Sequence, residues 1–570
     1  MAHLYKLAIH HFRGIKDLEV TFGNTKFVAI IGRGDSGKTT MLKAIASVLS
    51  PNWNLSFNDW DFYQCKTDEP IVIEAVVKDL PDELIKQGKF GLCLGLIKED
   101  GNITYDFEDM PEAESEKCEK MITIRLKVTD NLEPRWTVIS GPALDVETEI
   151  SGFDRAKLKV FQMSDYIDNH FSYSKGSPLY SLLRQDMDDK NAPGEKILAM
   201  VRDAYAAIQS NNTFKEFDKV KETIVTLAKG VGLNITELNT LVEFKENAYS
   251  ESNITLHSNN VPYRLHGKGS KRLLSIAIQK GLVEDGGIVL IDELEQGMEP
   301  DRSRNLARLL KRTEKGQVFV TTHSREVIAE VDATSLFMLH EDGRGFETFS
   351  KSYQGMLRRI PEGVLAKRVI CCEGATELGI IRAIDEYLQE NRGFGLAAQG
   401  IVYVDCKGGD QFYRDAIRLT KKKIDACVLA DDDVENDLER AKKDAAKNNV
   451  RGIICDKGKA IEQMLFSYLP WEVIGEMLRY SEEAMGKQSV YPILTYNDAE
   501  SIEAITAVAE QFRVREECSK RAGEKRWFKR IDHGEFVGWV WFECIDKIAA
   551  DSGLKREYDE LMNWIGHDIN

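Results

Sequence analysis

A glycine-rich loop between a predicted strand and a predicted helix places the strongest constraint on how this chain folds. The loop follows the apolar run 27–31 and precedes a helical pattern at 41–45, and its residues are Gly32, Arg33, Gly34, Asp35, Ser36, Gly37, Lys38, Thr39 and Thr40. Glycines in such a loop let backbone amides face a phosphate, while Lys38 adds positive charge and the Thr39 hydroxyl can bind Mg²⁺. The pattern therefore predicts a P-loop that binds a nucleoside triphosphate together with Mg²⁺.

Composition limits the other possibilities. The 570 residues are 43% hydrophobic and 30% charged, and this length is enough for about three or four globular domains. The sequence has neither an apolar run long enough for a membrane span nor a signal-peptide pattern, so we expect a cytoplasmic protein without membrane contacts. The formal net charge of −17 argues against broad coating of nucleic acid, although DNA can still bind in a local basic groove. The ten scattered cysteines predict reduced, mostly buried thiols.

The first part of the chain reads as mostly strand. Alternating apolar and polar residues at 3–30, around Phe12-Arg13-Gly14, predict an antiparallel hairpin that leads into the P-loop strand. Further strands are expected at 71–78, 122–128 and 136–139. From about residue 166 the pattern becomes helical.

A second set of nucleotide-site residues follows this helical stretch. Residues 266–275 open a helix with small residues and a serine, and the apolar run 288–291 ends on Asp292 and Glu293. Asp292 is suited to binding Mg²⁺ through water, and Glu293 to polarising the attacking water. Another buried strand ends close to His323, and a histidine in this place resembles the switch histidine of ABC ATPases, which senses the γ-phosphate.

These motifs resemble the head domain of SMC-like ABC ATPases, in which the signature motif of one head completes the site of another. The resemblance therefore implies a homodimer at least. Residues 266–275 stand where such an ATPase carries its signature motif, and we call them the signature stretch. About 230 residues separate the P-loop from this stretch without a sustained heptad repeat, so a long coiled-coil arm is not expected. The helical block at 166–260 is more plausibly a dimerisation element.

The C-terminal part contains a second carboxylate cluster. A predicted strand ends on Glu373, a glycine turn follows, and the next helix carries Glu377. A later apolar strand is followed by Asp431 and Asp433, with a further strand and glycine turn at 403–410 between the two carboxylate groups. Carboxyl ends of parallel strands meet at one sheet edge, so these oxygens predict a Mg²⁺ or Mn²⁺ site.

The Glu-Gly-x-Thr-Glu and Asp-x-Asp motifs resemble a Toprim domain. An SMC-like ABC ATPase followed by a Toprim domain resembles the OLD (overcoming lysogenisation defect) family of endonucleases, which includes the nuclease of the Gabija anti-phage system. The resemblance assigns metal binding and catalysis to Glu373, Glu377, Asp431 and Asp433. A further acidic ligand matches Glu462, with Asp498 and Glu500 as alternatives. The family's distal basic residue matches Lys529, in a basic segment with interleaved aromatics at 520–530 that could bind phosphate.

The resulting expectation is an α/β protein with an ABC-type ATPase head and a C-terminal Toprim domain. Its domains are predicted at 1–165 and 261–350 for the two ATPase halves, 166–260 for the helical insert and 351–570 for the Toprim domain, with a linker at 355–361. The resemblance implies a nucleotide-regulated DNA endonuclease or nickase in anti-phage defence, as a homodimer or homotetramer, with a UvrD-like helicase as a further partner. Two alternatives stay open: a DNA-repair ATPase without cleavage, and a nucleotide-sensing scaffold for a partner enzyme.

Overall fold

The computed structural model describes most of the two halves of the chain. Its described residues are 2–105, 117–141, 144–163, 170, 177–178, 181, 203, 257–258, 261–284, 286–340, 345–432, 438–496, 499–507, 511–525 and 527–566. Most of the predicted insert at 166–260 lies outside them, as do Asp433, Asp498 and Arg526. The chain divides into two compact units, one of Met1–Ala29 with Gly37–Thr322 and one of Ile30–Ser36 with His323–Asn570.

The first unit contains most of the strands. Its strands are β1 (His3–Phe12), β2 (Ile15–Thr21), β3 (Phe27–Ile31, whose last two residues belong to the second unit), β4 (Ile71–Lys78), β5 (Leu94–Ile97), β6 (Ile103–Thr104), β7 (Glu119–Val128), β8 (Pro134–Ile139), β9 (Glu147–Glu149), β10 (Val160–Met163), β11 (His257–Ser258), β12 (Val261–Pro262), β13 (Ile288–Ile291) and β14 (Gln317–Thr321). Its α-helices are α1 (Lys38–Val48), α2 (Gln87–Phe90), α3 (Gly152–Ala156), α4 (Lys268–Glu284) and α5 (Pro300–Leu310).

The second unit contains shorter strands and more helices. Its strands are β15 (Leu336–Leu339), β16 (Phe346–Thr348), β17 (Arg368–Cys372), β18 (Ile401–Asp405), β19 (Asp425–Ala430) and β20 (Arg451–Ile454). Its α-helices are α6 (Arg325–Glu330), α7 (Gln354–Arg359), α8 (Ala375–Arg392), α9 (Gln411–Thr420), α10 (Glu439–Lys447), α11 (Ile461–Tyr468), α12 (Trp471–Met485), α13 (Tyr491–Tyr496), α14 (Ile502–Thr506), α15 (Gln511–Glu524), α16 (Ile531–Glu543) and α17 (Gly553–Ile565).

An antiparallel sheet in the first unit confirms the predicted N-terminal hairpin. Its strands follow the order β2-β1-β4-β7-β5-β6, and β8 and β9 continue from β7. Residues in β2 alternate between buried and exposed, as expected for a strand with one face on the core. The strands predicted at 71–78, 122–128 and 136–139 are all present.

The strand before the P-loop lies in a second sheet. In the first unit its order is β10-β13-β14-β3, and β13 pairs in parallel with both β10 and β14. Every residue of β3, β13 and β14 is buried, which is typical of strands covered on both faces. The apolar runs in the sequence therefore predicted these strands correctly.

A parallel sheet forms the centre of the second unit. Its strand order is β18-β17-β19-β20, so β17 lies between β18 and β19. All five residues of β17 are buried, and the last five of β19 are buried as well. Because all the pairs are parallel, the carboxyl ends of these strands lie at one edge of the sheet.

Helices α8 and α16 approach each other closely through glycines. A Cβ atom at Gly379 would lie 2.2 Å from the carbonyl oxygen of Ile531, and one at Gly534 would lie 2.4 Å from that of Thr376. Side chains at these two positions would force the helices apart. The hydroxyl of Thr376 also donates a hydrogen bond to the carbonyl of Phe528, over 3.0 Å. These contacts hold the residues just before α16 against the start of α8.

Two further expectations can be compared with the structure. The linker predicted at 355–361 is wrong, because α7 occupies most of this stretch and Met356 and Leu357 are buried in it. All ten cysteines are free and eight of them are buried, as predicted. Whether the domain boundaries at 165, 260 and 350 are correct stays a prediction.

Among the described residues, no helix combines the length and apolar character needed to cross a bilayer.

Replacement of Arg368 by alanine is expected to destabilise the second unit. Arg368 is 3% exposed, lies 4.0 Å from the ring centre of Trp564, and donates hydrogen bonds to the carbonyls of Trp564 and Ile565 and to Asp425. Losing these contacts should lower the free energy of unfolding by about 2–4 kcal/mol. Urea unfolding followed by tryptophan fluorescence measures the loss.

The matched control is Lys443→Ala, since the side chain of Lys443 is 73% exposed and pairs only weakly, at 3.7 Å, with Glu439. This change should cost less than about 0.5 kcal/mol. Equal unfolding midpoints for the two variants would contradict the structural role given to Arg368.

Candidate functional site

The P-loop has the backbone conformation that its glycines predict. Gly32, Asp35 and Gly37 have φ angles of 149°, 59° and 94°, and α1 begins directly after Gly37. A Cβ atom at Gly32 would lie 2.7 Å from the carbonyl oxygen of Leu339, so only glycine fits there. Lys38 is 6% exposed, in the first turn of α1. Because the amides at the N-terminus of a helix attract anions, this turn is suited to binding phosphate.

The carboxylates after β13 lie beside the P-loop threonine. Asp292 Oδ1 is 3.3 Å from the hydroxyl of Thr39, which donates a hydrogen bond to it. The hydroxyl of Thr321 also donates to Asp292 and accepts a hydrogen bond of 2.7 Å from the amide of Glu293. Glu293 is exposed and has a φ of 45°. The structure thus brings together Thr39 and Asp292, the two groups predicted to bind the Mg²⁺ of ATP.

Arg272 links the signature helix to this carboxylate pair. The side chain, 4% exposed in α4, donates hydrogen bonds to the carbonyls of Asp292 and Glu293 and to Gln296 Oε1 at 2.7 Å. Sequence reasoning missed both Arg272 and Thr321. The only signal for Arg272 was its positive charge within the signature stretch, and the only signal for Thr321 was its hydroxyl at the end of a predicted strand.

The other predicted nucleotide-site residues occupy the expected elements. Thr40 is in α1, and His323 is exposed two residues after β14. Gly34 and Asp35 are exposed in the loop, whereas Ser36 is buried.

A second group of carboxylates gathers at the carboxyl edge of the parallel sheet in the second unit. Glu373 follows β17, and its amide donates to the carbonyl of Leu429 over 3.0 Å. Its side chain in turn accepts a hydrogen bond of 3.1 Å from the amide of Asp431, directly after β19. Asp431 Oδ1 accepts a further hydrogen bond of 2.7 Å from the amide of Ile461. Two neighbouring strands and the start of α11 therefore hold Glu373 and Asp431 together.

Lys529 reaches this group from outside the sheet. Its ammonium lies 3.2 Å from Asp431 Oδ2 and 2.9 Å from Glu462 Oε1, and its side chain is 40% exposed. Glu462 is fully buried in the first turn of α11, and Glu377 is 4% exposed in the first turn of α8. Lys529 thus contacts two of the carboxylates that the sequence assigned to the metal site.

The charges in this cluster shift one another's pKa values. Burial, together with the carboxylate of Asp431, raises the pKa of Glu377 to about 8. Burial raises the pKa of Glu462 to about 7, although Lys529 opposes this shift. Burial alone would lower the pKa of Lys529, but the carboxylates of Asp431, Glu462 and Glu377 outweigh it and raise the pKa. The cluster therefore holds more carboxyl groups than one ammonium can neutralise.

The donor chemistry of the cluster fits a divalent cation. Glu377 Oε1 and Glu462 Oε2 are buried side-chain oxygens without a hydrogen-bond partner in the described part of the chain. Carboxylate oxygens are the ligands preferred by Mg²⁺. Within the described ranges, however, no three His, Cys, Asp or Glu side chains are already close enough to hold a metal ion. Asp433, the remaining member of the predicted set, lies outside these ranges.

One expectation for the region around Lys529 changes, and the alternative ligands stay a prediction. Trp527 and Phe528 are both fully buried in the core of the second unit, so they cannot stack on DNA bases as an interleaved aromatic patch would. The alternative ligand Glu500 is exposed before α14, and Asp498 lies outside the described residues.

These two sites define the class of protein: a P-loop ATPase joined to a Toprim domain. Residues 27–329 match the family described as "AAA domain, putative AbiEii toxin, Type IV TA system". Residues 364–433 match the family described as "Overcoming lysogenization defect protein-like, TOPRIM domain". The chain therefore belongs to the first of these families and, with its second domain, is an ATPase–Toprim fusion of the OLD type. The predicted fold class, an ATPase head followed by a Toprim domain, is confirmed.

Several solved structures are similar to part of the chain. The Smc head bound to the C-winged helix domain of ScpA is 16% identical, with a TM-score of 0.35, over 61% of this chain and 98% of that chain. An Smc head with an extended coiled coil, bound to a ScpA domain from Pyrococcus furiosus, is 13% identical, with a TM-score of 0.36, over 63% and 98%. RecF with ATP is 13% identical, with a TM-score of 0.33, over 61% and 99%. No curated protein matches the chain significantly by sequence.

Replacement of Arg272 by alanine is expected to slow ATP turnover more than it weakens ATP binding. The change removes the donors to the Asp292 and Glu293 carbonyls but leaves the P-loop intact. Because small misplacements of reacting groups are costly, we expect turnover to fall about 10-fold or more, with the ATP dissociation constant within about 3-fold. Steady-state hydrolysis and equilibrium titration with ATP measure the two effects.

Arg304→Ala serves as the control, since Arg304 is exposed on α5. Its turnover should match that of the unmodified protein. If Arg272→Ala hydrolyses ATP at the normal rate, Arg272 does not position the carboxylates.

Glu557 should make the stability of the second unit depend on pH. This residue is 1% exposed in α17, and burial raises its pKa from 4.5 to about 8. The folded protein then keeps a proton that the unfolded chain loses, so stability should fall as pH rises from 4.5 to 8 and level off above. Between pH 5 and pH 8, Glu557 should lower the free energy of unfolding of the unmodified protein by a loss on the order of 3–5 kcal/mol. The Glu557→Gln variant should not show this loss.

Urea unfolding at several pH values, in EDTA, measures this difference. The control is Asp559→Asn, which removes an exposed carboxylate from the same helix and should keep the pH dependence of the unmodified protein. Parallel stability curves for the protein and Glu557→Gln would show that Glu557 is ionised in the folded state.

Proposed function

We propose that this chain is a divalent-metal-dependent DNA endonuclease or nickase, and that nucleotide binding at its P-loop controls cleavage. The convergence of Glu373, Asp431, Glu462 and Lys529 at one edge of the Toprim sheet carries this proposal. A purely structural role for the Toprim domain would not require several carboxyl groups to be buried together, because burying unneutralised charge destabilises a fold. Functional sites are where such arrangements concentrate.

A metal ion is the expected partner of these carboxylates. Glu373, Glu377, Asp431 and Asp433 would hold Mg²⁺ or Mn²⁺, with Glu462 as a further ligand. The raised pKa values of Glu377 and Glu462 support this assignment, because both show a shortage of positive charge around the cluster. A bound divalent ion would supply that charge, and it would activate water and stabilise the charge that develops on phosphate.

The protein's own groups would position the substrate. Lys529 donates to Asp431 and is exposed enough to pair with a phosphate oxygen as well, which would stabilise the negative charge of the transition state. Arg530 follows it on the surface. Lys407 is exposed beside Gly408, whose amide donates to the carbonyl of Glu373 over 2.8 Å. These cations border the carboxylates, so a DNA backbone could lie across the edge of the sheet.

The family supports a proposal for the wider biological role. An ATPase–Toprim fusion of the OLD type suggests anti-phage defence, in which the ATPase gates cleavage rather than performing it. The signature helix on α4 supports a homodimer or homotetramer, because such helices complete the nucleotide site of a second copy. A UvrD-like helicase would be a separate partner of this assembly.

Cleavage of supercoiled plasmid by the purified chain tests the proposal. We expect nicking or cutting in Mg²⁺ or Mn²⁺ that stops in EDTA. In Glu377→Gln it should fall at least about 100-fold, since even the partners of metal ligands are worth about 10–100-fold. Lys38→Ala, tested with and without ATP, would show whether nucleotide binding activates or inhibits.

Glu390→Gln is the matched control, because Glu390 is exposed on the same helix as Glu377. It should cleave like the unmodified protein. Intact ATP hydrolysis without cleavage under any condition would refute the nuclease and favour an ATPase that acts without cutting DNA.

A further inference from the structure

Two adjacent histidines lie near the end of β1 in the first unit, and neither belongs to the two sites described above. The register of the antiparallel sheet places His10 opposite Asp17 of β2 on one side and opposite Val72 of β4 on the other. Glu69 lies two residues before β4 begins. His11 has a φ of 57°, which interrupts the regular alternation of side chains between the two faces of a strand. Both imidazole rings therefore approach the Glu69 carboxylate, although they are neighbours in sequence.

The hydrogen bonds of the two imidazoles determine which ring nitrogen keeps a lone pair. His10 Nδ1 donates to Asp17 Oδ1 over 2.5 Å, and His11 Nε2 donates to the carbonyl of Lys66 over 2.6 Å. Carboxylate and carbonyl oxygens only accept hydrogen bonds, so the bonded nitrogen of each ring carries the hydrogen. In the neutral rings, the lone pairs are then on His10 Nε2 and His11 Nδ1.

These two lone pairs face the same carboxylate oxygen. Glu69 Oε2 is 3.4 Å from His11 Nδ1 and 3.9 Å from His10 Nε2. His11 is 2% exposed, and its Nδ1 is buried without a hydrogen-bond partner among the described residues. A lone pair buried against a carboxylate is unfavourable, because both groups are acceptors and neither supplies a hydrogen. A cation between the three atoms would remove this cost.

The donor set fits a transition-metal dication better than Mg²⁺. Two imidazole nitrogens and one carboxylate are a known ligand set of Zn²⁺, with water in the fourth position, whereas Mg²⁺ prefers oxygen ligands. Ligand atoms bound tetrahedrally to Zn²⁺ lie about 3.3–3.5 Å apart, so the His11 distance fits and the His10 distance is about 0.5 Å too long. In the part of the chain that the structure describes, no three such side chains already surround an ion. Zn²⁺ would therefore draw in Glu69, whose side chain is 54% exposed and can turn.

The partners of the other two ring nitrogens are of the kind that metal-bound histidines use. A metal-bound imidazole almost always donates its second N–H to a carboxylate, a backbone carbonyl or water, which fixes the orientation of the ring. Asp17 supplies the carboxylate for His10, and Lys66 supplies the carbonyl for His11. The side chain of His10 is 41% exposed, so an ion can reach the three donor atoms from solvent.

We propose that His10, His11 and Glu69 bind one Zn²⁺ ion in the first unit, separately from the P-loop and from the Toprim carboxylates. Asp17 and the carbonyl of Lys66 would orient the two imidazoles, and water would occupy the remaining position on the ion. The ion would join the end of β1 to the segment before β4. Its binding should therefore stabilise the first unit against unfolding.

Titration of the metal-free full chain with Zn²⁺ in excess Mg²⁺ tests the proposal, because Mg²⁺ then occupies sites built from oxygen ligands. We expect one equivalent of Zn²⁺ to bind and to raise the urea midpoint of unfolding. Glu69→Gln and His10→Gln should each weaken Zn²⁺ binding about 10-fold or more, since even the partners of metal ligands are worth about 10–100-fold. Both side chains are partly exposed, so neither change puts folding at risk.

Co²⁺ in place of Zn²⁺ identifies the ligand atoms. We expect visible absorption typical of nitrogen and oxygen ligands, and no thiolate-to-metal band in the near ultraviolet. A thiolate band would show that the ion binds at a cysteine such as Cys65, which is exposed, and would overturn the proposal.

Asp68→Asn is the matched control, since Asp68 is an exposed carboxylate next to Glu69 in the sequence. Its Zn²⁺ affinity should stay within about 2-fold of that of the unmodified protein. The proposal fails if the full chain binds no Zn²⁺ in excess Mg²⁺, which would leave a proton as the cation between His11 and Glu69. It also fails if Glu69→Gln and His10→Gln bind Zn²⁺ as tightly as the control, because the ion would then lie elsewhere. None of these results depends on DNA cleavage.

Discussion

The interaction on which the C-terminal site depends is the contact of the Lys529 ammonium with the carboxylates of Asp431 and Glu462. Several carboxyl groups at one sheet edge repel one another, and burial makes their ionised forms costlier still. One ammonium cannot neutralise them all, which is why burial leaves the pKa of Glu377 raised to about 8. The cluster is therefore short of positive charge, which a bound divalent cation would supply.

The architecture around this contact is built to bring Lys529 to the sheet. Parallel pairing of β17 with β19 places Glu373 beside Asp431, and the amide of Ile461 fixes Asp431 from the start of α11. Lys529 comes from a distant part of the sequence. It reaches the carboxylates because Gly379 and Gly534 allow α8 and α16 to pack closely, and because Thr376 holds the carbonyl of Phe528.

In the ATPase site, buried polar side chains instead fix the backbone of the two carboxylate residues by hydrogen bonds. Thr321 bonds to both Asp292 and the amide of Glu293, and Arg272 bonds to the carbonyls of both residues. The signature helix and two strands therefore determine together where the carboxylates lie. A change in the position of α4 would move the groups that act on ATP, which is a physical basis for coupling between nucleotide chemistry and contacts on that helix.

The sequence by itself determined the parts of this protein that depend on local pattern. Apolar runs predicted β3, β13, β17 and β19, because strands buried on both faces need continuous hydrophobic residues. The glycine and lysine spacing predicted the P-loop, and the carboxylates after the strands predicted the edge at which they meet. Only the tertiary structure decided how distant residues combine. It placed the side chain of Arg272 against the backbone carbonyls that follow β13. It buried Trp527 and Phe528, which the sequence suggested as part of a DNA-binding patch. It also formed a helix over most of the linker predicted at 355–361. Those outcomes depend on which surfaces the rest of the chain covers, and a local pattern carries no record of its distant neighbours.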